Sequence, residues 1–160
     1  DDATPKAVNK GADGEQAVEA GRRVTASGMK LSMMIILGLA GAEGSERHAL
    51  ATAKAINIIK PTHLSALCLM LYRGSELLDQ YEAGKFNPLS PAGLMRELKL
   101  IIENIDLPAD RHCLFRINHV SNYVQLAATL PHDKQKLLRD IDYSIAQLGK
   151  LKSWDVYNYN

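Results

Sequence analysis

The sequence predicts an α/β fold of parallel strands joined by crossover helices, and three observations carry that expectation. Three short apolar runs, over residues 30–37, 63–71 and 113–117, recur along the chain. Between them lie segments whose apolar residues repeat at three and four, the spacing of one helical face. The runs themselves are continuous rather than alternating, as expected of strands covered on both faces of a parallel sheet.

Taken in order, Asp13 with Gln16 three residues on has the form of a capping box. It opens a helix over 15–27 that places Ala17, Val18, Ala20 and Val24 on roughly one face, and Gly28 is its stop. The run 30–37 is the first strand, and it ends in a loop over 38–44 that holds Gly38, Gly41 and Gly44. Ser45 is read as the N-cap of the next helix, whose apolar positions are Ala49, Leu50, Ala53, Ile56 and Ile59 and which Pro61 ends. The second strand covers 63–71. Ser75 caps a shorter helix ending near Gly84, and Ser90 with Pro91, an N-cap and a first-turn proline, opens a longer one through Ile105. A third strand lies around 113–117. A closing helix over 133–148 carries Leu137, Leu138, Ile141, Ile145 and Leu148. Residues 1–148 are thus read as one unit and 149–160 as a polar aromatic tail with Trp154, Tyr157 and Tyr159. Three strands are few for a parallel sheet, and its outer strands would have open edges. The expectation is part of a larger sheet or barrel.

Composition narrows the function classes. The 160 residues are 46% hydrophobic and 23% charged, ordinary for one globular domain. Nineteen Lys and Arg against eighteen Asp and Glu give a formal charge of +1, which argues against a phosphate-grasping nucleic-acid surface. No apolar run approaches the roughly 20 residues of a membrane span. Residues 1–5 lack the basic stretch and apolar core of a signal peptide. Cys68 and Cys113, far apart in apolar segments, suit the reduced thiols of a cytoplasmic protein. Two cysteines alone form neither a four-cysteine zinc site nor the ligand set of an iron–sulfur cluster.

In parallel α/β sheets ligands meet the loops that follow the strands. Three loops qualify here, over 38–44, 72–75 and 118–122. The first has three glycines, which let a ligand approach the backbone, and leads into a helix N-terminus. Such turns are also common for steric reasons alone. The spacing Gly38, Gly41, Gly44 fits neither the dinucleotide fingerprint nor the phosphate loop, which argues against nucleotide hydrolysis. Asn118, His119, Val120, Ser121 and Asn122 are the densest polar cluster. His119 is the candidate catalytic residue, able to shuttle a proton or position a substrate, and Asn118, Ser121 and Asn122 are candidate substrate contacts. The same residues would serve equally well to shape a turn. His48 in a first helical turn reads as a surface residue and His63 as structural. His112 beside Cys113 lacks a partner at metal-ligand spacing, so no metal ligand is assigned. Tyr72, Arg73, Glu43 and Glu76 are loop-end polar residues with solvated surface as their default. No serine or cysteine nucleophile with a partner base emerges, so a hydrolase has no support.

In order and spacing these segments resemble the C-terminal half of the radical S-adenosylmethionine domain, nearest to proteins related to oxygen-independent coproporphyrinogen oxidase. The resemblance runs over residues 1–148. It begins with Val8-Asn9-Lys10-Gly11 and the helix end Ala26-Ser27-Gly28-Met29. Ile35-Ile36-Leu37-Gly38-Leu39-Ala40-Gly41 is similar to the family's fifth-strand motif, and His48-Ala49 with Thr52-Ala53 follows. Pro61-Thr62-His63-Leu64-Ser65 then leads to Leu69-Met70-Leu71-Tyr72-Arg73-Gly74-Ser75-Glu76-Leu77, similar to the sixth strand and its turn. Asn118-His119-Val120-Ser121-Asn122 resembles a motif of one subgroup.

The resemblance implies a partial (β/α)6 barrel in which Ile36 and Gly38, with Leu69, Met70 and Leu71, line the adenine of S-adenosylmethionine. Two positions depart from the motif: its leading glycine is Met34 here and its trailing glutamate is Gly41. The family's Cys-x-x-x-Cys-x-x-Cys motif for a four-iron–four-sulfur cluster is missing from this sequence. The expectation is therefore a fragment of a longer iron–sulfur oxidoreductase, inactive alone. The rest of the barrel would be its partner, and self-association through an exposed sheet edge is a further expectation. S-adenosylmethionine and the cluster would belong to the full-length parent, the substrate being a small molecule of unspecified identity. A self-standing α/β binding or assembly module without catalysis is the alternative.

Overall fold

The computed structural model describes Thr4 and residues 13–149; the aromatic tail lies outside them. Among the described residues, five helices and four strands follow one another: α1 (Gly14–Ala26), β1 (Ser32–Leu37), α2 (Gly41–Ile59), β2 (His63–Cys68), α3 (Glu76–Glu82), α4 (Pro91–Asn104), β3 (Cys113–Ile117), β4 (Leu126–Leu130) and α5 (Lys134–Leu148). One sheet has the order β1-β2-β3-β4, with β1, β2 and β3 parallel and β4 antiparallel to β3.

Local chemistry sets most element ends as expected. The Asp13 carboxylate accepts from the Gln16 N–H at 2.7 Å and starts α1. Ser75 and Ser90 hydroxyls accept from the Leu78 and Gly93 N–H groups to start α3 and α4, the latter with Pro91 in its first turn. Gly28, at φ 81, turns the chain out of α1.

Four expectations need correction. The sheet has four strands rather than three and is not wholly parallel. The added strand, Leu-Ala-Ala-Thr-Leu, has little β-propensity of its own and exists by pairing with β3, from Cys113↔Leu130 to Ile117↔Leu126. β2 ends at Cys68, so Leu69, Met70 and Leu71 follow the strand instead of completing it. Helix α2 starts at Gly41, a turn before Ser45. Its first N–H groups already have partners, Gly41 donating to the Gly38 carbonyl at 3.0 Å and Ala42 to that of Asn87 at 2.8 Å. The strands, finally, are not covered on both faces.

That last point organises the molecule. Ile35 and Leu37 of β1, Leu64, Ala66 and Cys68 of β2, Cys113, Phe115 and Ile117 of β3, and Ala128 and Leu130 of β4 are buried. They form one core with Ala49, Ala53 and Ile56 of α2, the apolar side of α4, and Leu137 and Ile141 of α5. The alternate residues face the other way, where Met34 is 71% exposed and Ile36 and Leu114 are each 36% exposed. Helix α1 lies outside this core against α2, and a side chain at Gly21 would meet Ile59 at 2.9 Å. The result is an open, mostly parallel α/β sheet in sequential strand order with its core on one face; a doubly wound sheet reverses its order and carries helices on both faces. No described helix is long and apolar enough to cross a membrane.

Candidate functional site

The parallel strands bring their C-terminal ends to one edge of the sheet, where Gly38, Leu69 and Asn118 follow β1, β2 and β3. The three predicted loops therefore do converge on one rim, the place where ligands meet such sheets.

The first loop is built by packing. Gly38 sits at φ 81, and a Cβ there would lie 2.7 Å from Leu94 Cδ2. A Cβ on Gly41 would meet the Asn87 carbonyl and the Phe86 ring at 3.1 Å, and one on Gly44 would meet Ala40 Cβ at 2.8 Å. The glycines thus admit neighbouring protein, and the N–H groups of Gly41 and Ala42 are not free for an anion.

A residue the sequence reading missed fixes this turn. Glu97 of α4 is buried, and its Oε1 accepts from the Gly38 N–H at 2.8 Å. The same oxygen lies 3.2 Å from His48 Nδ1, and Oε2 accepts from the Ser45 hydroxyl. One carboxylate joins the end of β1, the second turn of α2 and the middle of α4. Ser45 is thus a donor to Glu97, not a helix cap. His48 is no surface residue either, its side chain being 13% exposed and held by Glu97. Because Ser45 and His48 both address the carboxylate and not each other, the cluster is a clamp rather than a nucleophile relay. The signal in the sequence was Glu97 itself, a charged residue on the stripe Leu94, Leu98, Ile101 where an apolar one is expected.

The third loop is a tight turn. The Asn122 N–H donates to the His119 carbonyl at 3.0 Å. His119 Nδ1 accepts from the Ser121 N–H at 3.2 Å and lies 2.9 Å from the Ser121 hydroxyl. Since a backbone N–H can only donate, Nδ1 is the acceptor in this contact and Nε2 is left to face outward. The Asn122 side chain accepts from the Cys68 N–H and donates to the Ala66 carbonyl, both at 3.0 Å. β3 pairs with β2 only over His63, Leu64 and Ser65, and the Asn122 amide takes over the ladder beyond them. Ser121 is buried. Asn122 and Ser121 are therefore occupied in shaping the rim, whereas Asn118 and His119 are exposed on it.

Of the residues assigned to adenine, Ile36 stands on the open face beside Leu67, its register partner. Gly38 has its N–H committed to Glu97 and its carbonyl to Gly41. Leu69 continues the β1 ladder by donating to the Leu37 carbonyl at 2.9 Å, Met70 accepts from the Tyr72 hydroxyl, and Leu71 is buried. Ile36 is thus open to solvent on the sheet face, whereas the Gly38 backbone is committed to protein partners. No family model matches this chain, and no curated protein matches it.

The thiols do not fit an iron–sulfur cluster. Cys68 and Cys113 are buried on the helix-covered face, where desolvation pushes both thiols up to about 11, far from the thiolate that a metal needs. Among the described residues no group of three or more His, Cys, Asp or Glu could hold a metal ion. His112 and His132 stack at the opposite end of β3, with ring centroids 5.1 Å apart.

Proposed function

We propose that this chain forms the adenine- and substrate-facing wall of a radical S-adenosylmethionine barrel whose cluster ligands lie outside this sequence. The supporting observation is the one-sided sheet. Its strands run in sequential order, its helices lie on one face, and the other presents Met34, Ile36 and Leu114 to solvent. A sheet face of that character suits the inner surface of a barrel. The sequence resemblance supplies the ligand: Ile36, Leu69 and Met70 are the adenine wall, and the Glu97 clamp holds the turn beside it. S-adenosylmethionine, when bound, supplies the reactive sulfonium group; these residues bind and orient its purine end. Exposed Asn118 and His119 on the same rim are the substrate-facing polar groups.

Titration of the labelled chain with adenosine and with S-adenosylmethionine, followed by amide NMR, tests the assignment. The expected result is saturable shifts at Ile36, Leu69 and Met70 that Ile36→Asp removes. Shifts scattered over the helix-covered side, or none at these three positions, would overturn it. The binding or assembly module remains the second reading because β1 is an edge strand with no further strand beside it among the described residues. It predicts concentration-dependent association without adenosine binding.

A further inference from the structure

The pairing register groups the open face into rows across the strands. Nearest the loop rim, Ile36 pairs with Leu67. The row farthest from the rim is Ser32, His63, Leu114 and Thr129. Between them lies Met34, Ser65, Arg116 and Ala127, each the register partner of the next. Arg116 is the one charged residue in the four strands, and no strand carries a carboxylate. Its guanidinium donates to the neighbouring Phe115 carbonyl at 2.7 Å and has no carboxylate partner among the described residues. Ser65 beside it is half-buried and has no side-chain hydrogen bond among the described residues. Small residues on both sides, Ser65 and Ala127, leave room above the sheet next to the guanidinium.

We propose that Arg116 and Ser65 form an anion-binding subsite on this face, taking the carboxylate or phosphate of the small molecule that occupies it. Two donors stand side by side without a carboxylate, the guanidinium spending only one N–H on the Phe115 carbonyl. The guanidinium offers a planar fork matched to two oxygens, and the hydroxyl donates a third hydrogen bond. The inference rests on the open face being a barrel interior. Arg116 is exposed on this face; closed over into a barrel interior beside Met34 and Leu114, it would lose that hydration, and an occupant that brings a negative charge would replace it. Placing Arg116 one residue before the end of β3 sets that charge just below the rim where Asn118 and His119 stand.

The test is titration of the whole chain with succinate and, separately, with inorganic phosphate at constant ionic strength. It is read at the Arg116 Nε–H signal and at the Ser65 and Arg116 amides. Saturable shifts at these positions are expected with at least one anion, and the stronger one identifies the group. Arg116→Gln should remove the response, Arg116→Lys should weaken binding several-fold because the fork is lost, and Ser65→Ala should weaken it less. Arg139→Gln, an exposed change on α5, should leave it intact. Linear shifts with both anions, or an equal response in Arg116→Gln, would overturn the subsite; the variant's remaining amide spectrum shows that it is folded. Adenosine titration of the same samples separates the two claims. Anion binding without adenosine binding sinks the adenine wall alone, and adenosine binding without anion binding sinks the subsite alone.

Discussion

At the scale of single residues, Glu97 has the largest expected effect. A carboxylate with no exposed side-chain surface is stable in a core only if its oxygens are satisfied, and here Gly38, Ser45 and His48 satisfy them. Glu97→Ala leaves the buried Gly38 N–H without an acceptor and is expected to cost about 3 kcal/mol in urea unfolding. Glu97→Gln keeps an oxygen for Gly38 and should cost about 1 kcal/mol. If Ala and Gln cost the same, the hydrogen bonds are not what Glu97 contributes. The two thiols make a second residue-scale prediction. Burial lifts both from 9.0 to about 11, so the folded chain keeps protons that the unfolded chain releases. Stability contributed by the buried neutral thiols is fully present below pH 9 and is lost as pH rises from 9 to about 11, roughly 2 kcal/mol for each. In unfolding followed against pH, Cys68→Ala and Cys113→Ala should each flatten that decline. Both thiols should resist alkylation at pH 8 until the chain is unfolded.

At the scale of elements, the rim depends on side chains standing in for backbone. Asn122 closes the outer part of β2 with two hydrogen bonds where β3 has departed. Asn122→Ala should cost about 2 kcal/mol and speed hydrogen exchange at the Cys68 amide. Asn122→Asp keeps the acceptor but not the donor and should protect that amide better than Ala does. The contrast explains what the sequence made legible. Helix starts at Asp13, Ser75 and Ser90 could be read because cap and recipient N–H lie within three residues of each other. β4 could not, because its Ala-Ala-Thr centre gains strand geometry only from β3 across an intervening turn. The start of α2 was misplaced for the same reason: its cap is backbone brought from Asn87, far along the chain. The candidate site was legible in outline, as three loops on one rim. The clamp behind it was not, since Gly38, Ser45, His48 and Glu97 meet only once α2 and α4 pack together.

At the scale of the whole molecule, the apolar content of the strands predicts coverage on both faces, yet apolar content alone does not say what provides the cover. The helices are sufficient for one face only, so residues one position apart in β1 should behave oppositely. Ile35, in the core, should lose about 3 kcal/mol as Ile35→Ala. Met34, next to it on the open face, should change stability by less than about 1 kcal/mol as Met34→Lys. Association should respond in the reverse sense. An exposed apolar face that ends in an unpaired edge strand favours self-association at high concentration. Sedimentation velocity should therefore show reversible oligomers of the wild-type chain that Met34→Lys dissolves and a conservative Ile35→Val leaves in place. Were Met34→Lys as destabilising as Ile35→Ala, the second face would be buried and the one-sided sheet, with every functional assignment built on it, would be wrong.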